Sequence, residues 1–136
     1  MKAAKISLIT LAFAAAVGLA GQASAEMLKA TLNGASEVPA NTSKGTGTVE
    51  ANYDPASKKL TWKLTYSGLT GPATAAHFHG PAAAGQNAGV AVAIPNATSS
   101  PAEGSATLTD AQAADLLAGK YYVNVHTAAH PGGEIR

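Results

Sequence analysis

The stretch that most limits what this chain can become is KKLTWKLTY, residues 58–66. Leu60, Trp62, Leu64 and Tyr66 alternate with Lys59, Thr61, Lys63 and Thr65. Successive side chains of an extended strand point to opposite faces, so this order makes one face apolar and the other polar. The segment specifies a half-buried strand, and its apolar face needs a second layer to cover it.

The same period recurs along the chain. MLKATLN (27–33) puts Leu28, Ala30 and Leu32 on one face, and TVEANY (48–53) does so with Val49, Ala51 and Tyr53. GVAVAIP (89–95) aligns Val90, Val92 and Ile94, and GSATLT (104–109) and KYYVNVHT (120–127) continue the pattern. Turn formers separate these runs: DPAS at 54–57, SGLTGP at 67–72, PNATSSP at 95–101 and PGG at 131–133. One helix interrupts them. In TDAQAADLLAG, Thr109 is the expected N-cap, Gln112 completes a capping box and Gly119 suits the position after the C-cap. Leu116 and Leu117 are expected to pack on the sheet edge. Short strands with regular turns imply an all-β fold, an antiparallel Greek-key β-sandwich with one short helix. Its core should include Trp62, Leu64, Phe78, Val92 and Val123.

The first residues read differently. MKAAKISLITLAFAAAVGLAGQASAE has Lys2 and Lys5, an apolar run from Ile6 to Ala20, and Ala23-Ser24-Ala25 as a small-residue cleavage site. This is the form of a secretory signal peptide over 1–25, leaving a domain over 26–136. The expected localisation is periplasmic or extracellular, with no membrane span in the mature chain. Nine basic residues face eight acidic ones, and loss of Lys2 and Lys5 tips that balance to the acidic side. No basic stripe exists, which argues against a nucleic-acid partner. With no cysteine the domain must rely on its core rather than on disulfides.

Two of the four histidines lie in AHFHGP, residues 76–81. Phe78 points one way, and His77 and His79 point the other. In YVNVHT, Val123 and Val125 share a face, so Tyr122, Asn124 and His126 share the opposite one. Two residues of strand separate His77 from His79 by roughly 6.6 Å at the backbone. Imidazoles so spaced can converge on one ion at about 2.0–2.1 Å, with His126 from a neighbouring strand as third ligand. His130, four residues beyond His126 in the turn before PGG, is the fourth candidate, expected to swing back over the site. Neutral imidazole suits Cu(II) or Zn(II). Alternatively, these histidines hydrogen-bond loop backbone where strands end. Glu134 and Arg136 flank Ile135 and are expected to form an exposed ion pair, or Glu134 to accept a bond from an imidazole N–H. Trp62 belongs to the core. No Ser-His-Asp set, paired carboxylates or nucleotide loop can be assembled.

Several segments together resemble the CHRD domain, the module named after chordin. They are ASEVPA (35–40), GTGTVEANYDPASKKLTWKLTYSGLTG (45–71), AAHFHGPA (75–82), GQNAGVAVAI (85–94) and LLAGKYYVNVHTAAHPGGEIR (116–136). The resemblance implies an antiparallel β-sandwich. The family usually runs on beyond the residue matching Arg136, so a short final strand with a partly unpaired edge is expected. Three functions follow as expectations. The first is a non-enzymatic metal-binding module using the histidine cluster, able to store, buffer or deliver copper or zinc. The second is a module that binds an unknown protein partner or matrix, with structural histidines. The third is a copper-dependent oxidoreductase.

Overall fold

The structure, a computed structural model, describes residues 23–136. The expected signal segment lies outside the described residues apart from its last three. Seven strands and one helix follow in order. They are β1 (Glu26–Asn33), β2 (Thr46–Asp54), β3 (Lys59–Ser67), β4 (Ala73–His79), β5 (Val90–Ala93), β6 (Ala102–Thr107), α1 (Asp110–Leu117) and β7 (Tyr122–Thr127). One sheet has the order β1-β2-β3-β6 and the other β5-β4-β7. Every strand pairing is antiparallel. β6 lies beside β3 and β7 beside β4, so each sheet contains one pairing between strands that are not consecutive in the chain.

The alternation in β3 sets the core. Leu60, Trp62 and Leu64 are buried, while Lys59, Thr61 and Lys63 are exposed. Trp62 meets Phe78 of the other sheet edge-on, with ring centroids 5.2 Å apart. Its strand partner on β6 is Gly104, where a Cβ would come within 2.8 Å of the indole. The helix begins as expected: Thr109 accepts from the Gln112 N–H, and the Gln112 side chain accepts from the Thr109 N–H. Gly119, past the C-cap, takes a left-handed φ of 72°.

Three expectations need correction. Val92 is half-buried rather than buried, and Val90 is 56 % exposed. β5 is a four-residue edge strand, and its register with β4 breaks between Phe78 and His79. Of the helix leucines, Leu116 is buried but Leu117 is exposed, because adjacent helical residues point about 100° apart. In β1, Leu32 is buried, Leu28 half-buried and Ala30 exposed. The opposing sheet is one strand narrower.

The segment after β7 also differs from its reading. Ile135, wholly buried, bridges to Val125 on the β7 edge. Arg136 exchanges two backbone hydrogen bonds with Asn33 at 3.0 Å each. This segment therefore ties β7 to β1 and closes one side of the sandwich. Glu134 is buried, not exposed, and Arg136 pairs with Glu37 instead of with it.

Candidate metal centre

Strand parity and register together assemble the site. β4 and β7 are neighbours, with His77 opposite Asn124, His79 opposite Tyr122 and Ala75 opposite His126. Phe78, Val123 and Val125 fill the core side. The three histidines, Tyr122 and Asn124 thus lie on the other face of the same two strands. That face is not the open surface that its polarity suggests. His79 and Asn124 are buried, and His77 and His126 half-buried. The 80–89 loop and the segment following β7 fold over it, as contacts from Ala88 and Pro131 show.

One ring nitrogen from each of His77, His79 and His126 lies within 4.8 Å of the other two. Two nitrogens about 2.1 Å from one tetrahedral ion are about 3.4 Å apart, so the widest pair needs to close by at most roughly 1.4 Å. His77 Nδ1 and His126 Nε2 are 3.0 Å apart, a separation that two ligands subtending about 90° at an ion would have.

The tautomers follow from the partners. His79 Nδ1 is 3.0 Å from the Ala88 carbonyl, and His126 Nδ1 is 2.9 Å from the Pro131 carbonyl. A carbonyl only accepts, so both Nδ1 atoms carry the hydrogen. Both Nε2 atoms of the neutral rings then present lone pairs to the cluster. His126 Nε2 accepts from His77 Nδ1–H, so His77 ligates through Nδ1 only once that hydrogen has moved to its own Nε2. His79 Nε2 is buried and has no hydrogen-bond partner among the described residues. Burial lowers the pKa of His77 below 6.5, and His126 and His79 add to the effect. The shift favours the unprotonated imidazole of His77, which is the form that ligates.

A second tier of side chains packs against the triad. The Tyr122 ring stacks on His79 with centroids 4.9 Å apart and planes 4° apart. The Arg136 guanidinium lies 3.8 Å from the Tyr122 ring centroid. It also donates to the Gln86 carbonyl and to Asn87 Oδ1. Its Nε is 3.4 Å from Glu37, a buried carboxylate whose pKa burial raises and Arg136 pulls back in part.

The fourth candidate stands apart. His130 Nε2 lies 3.8 Å from Glu134, not in the triad. Glu134 accepts from the Thr70 N–H and the Ser43 hydroxyl, which makes it a tie between loops rather than a support for the ligand nitrogens. The groups that do hold the imidazoles, the carbonyls of Ala88 and Pro131, leave no trace in residue type. Tyr122 was visible by parity, since it shares a face with Asn124 and His126.

Among the described residues no helix is long and apolar enough to cross a membrane. The family model described as CHRD domain matches residues 28–136. No curated protein and no solved structure matches the chain.

Proposed function

This chain belongs to the CHRD domain family, and we propose that it is an exported, non-enzymatic module that binds one copper or zinc ion through His77, His79 and His126. The observation behind this reading is the buried Nε2 of His79, unpartnered among the described residues, on a ring that belongs to a cluster of three histidines with ring nitrogens within 4.8 Å of one another. A buried polar atom without a partner costs stability, and an ion would remove that cost while using the lone pair. Three imidazoles leave room for a further ligand on the ion, which suits a module that takes up and releases it.

Titration of the metal-free protein with Cu(II) and Zn(II), read by calorimetry and by mass spectrometry of bound metal, tests the reading. One equivalent should bind to the wild type. His79→Ala should weaken binding at least tenfold, and His130→Ala should leave it unchanged. A wild type that takes up neither ion overturns the proposal. The metal-loaded protein should show no turnover with redox substrates.

The reading as a protein-binding module with structural histidines draws on the 3.0 Å contact between His77 and His126, which already satisfies both nitrogens without an ion. It predicts that His77→Ala lowers stability equally with and without metal. Export belongs to the same proposal, and N-terminal sequencing of the exported form should begin at Glu26.

A further inference from the structure

The plane and rotation of the His79 ring are both set by one neighbour. Tyr122 stacks on the ring with planes 4° apart, which fixes its tilt. The Tyr122 hydroxyl also accepts from the Ala88 N–H at 3.0 Å and donates to the Ala88 carbonyl at 3.2 Å. That same carbonyl receives the His79 Nδ1–H at 3.0 Å. A flip of the imidazole would break this bond and turn Nδ1 rather than Nε2 toward the cluster. Arg136 lies over the Tyr122 ring and holds the adjoining loop at Gln86 and Asn87. The Asn87 side chain in turn donates to the Val38 carbonyl at 2.9 Å. The loop that supplies the carbonyl is thereby anchored from both sides.

We infer that Tyr122 is a positioning residue: it locks Ala88 and the His79 ring so that Nε2 is presented as a ligand to a transition-metal ion. This rests on the metal-binding reading above. Groups that orient ligating histidines typically change metal affinity about 10–100-fold when removed, although they never touch the ion. Tyr122→Phe keeps the stacking ring and deletes only the hydroxyl, so it isolates the hold on Ala88.

The test compares Cu(II) affinity, by chelator competition, and the Cu(II) electron paramagnetic resonance spectrum of wild type, Tyr122→Phe and Tyr66→Phe. Tyr66 donates its hydroxyl to the Ala97 carbonyl at 2.7 Å, away from the triad, and serves as a matched loss of one tyrosine hydroxyl. Tyr122→Phe should bind Cu(II) about tenfold more weakly with an altered spectrum, while Tyr66→Phe keeps wild-type affinity and spectrum. Wild-type affinity and spectrum in Tyr122→Phe overturn this inference alone. Equal weakening in both variants also overturns it, because the effect is then general destabilisation. A wild type that binds no Cu(II) removes it together with the metal reading. The metal-free wild type gives a check that needs no variant. Imidazole nitrogen NMR should show His79 as the Nδ1–H tautomer, and an Nε2–H tautomer refutes the lock.

Discussion

Replacing Glu134 by Gln removes a charge from one of the most buried side chains without removing its bulk. Glu134 is fully buried, accepts from Ser43 Oγ at 3.1 Å and shares the Thr70 N–H between its oxygens at 3.0 and 3.3 Å. Hydrogen bonds to a charged group contribute about 1.5–3 kcal/mol each, and neutral ones about 1 kcal/mol. Gln retains one acceptor oxygen, so the loss is about 2 kcal/mol at pH 7. For a domain of this size that lowers Tm by about 8 °C. Burial alone would raise the Glu134 pKa, but the bonds from Thr70 and Ser43, with His130 nearby, hold it below 4.5. Below 4.5 the unfolded chain therefore takes up the proton first. The contribution of the carboxylate is complete above that pH and is lost as the pH falls through the lower folded value. Urea unfolding followed by Trp62 fluorescence at a series of pH values reads this directly. The gap between wild type and Glu134→Gln should be widest near neutrality and should narrow below pH 4.5. A gap of the same size at pH 3 and pH 7, or none at pH 7, refutes the reasoning.

Thr109→Ala removes the N-cap acceptor of α1 and should cost about 1 kcal/mol by urea unfolding. Gly47→Ala would place a Cβ 2.9 Å from the Thr65 carbonyl oxygen and 3.0 Å from Ile135 Cδ1, and should cost about 1–3 kcal/mol in the same assay. Burial and the neighbouring histidines hold the His77 pKa below 6.5, so the unfolded chain gains that proton more readily. Metal-free protein should thus lose stability as the pH drops below about 6.5, and thermal melts of His77→Asn should show a flatter profile there.

Alternation in β3 made the sandwich legible, because Leu60, Trp62 and Leu64 can share a buried face only in extended backbone. Parity likewise placed His77 and His79 together, and His126 with Tyr122 and Asn124. It could not say that β4 lies beside β7, since strand order follows from long-range packing rather than from local pattern. Val92 shows where alternation weakens: a short edge strand with a register break does not bury the face that its residues imply. GEIR was misread because two charged residues around one Ile look like an exposed strand end. Burial of Glu134 depends on donors from Ser43 and Thr70, more than sixty residues away in sequence. The carbonyls of Ala88 and Pro131 had no signal at all, as every residue has one.

The pairing of β4 with β7 fixes an order of events. His77 and His79 are near one another in any conformation, but His126 lies 49 residues beyond His77. Closing a loop of that length costs roughly 3 kcal/mol in chain entropy before any contact repays it. An unfolded chain thus offers an ion two imidazoles and only the complete sheet offers three. An ion held by all three is a passenger of the finished fold, and its arrival should slow unfolding while leaving the rate of folding nearly unchanged.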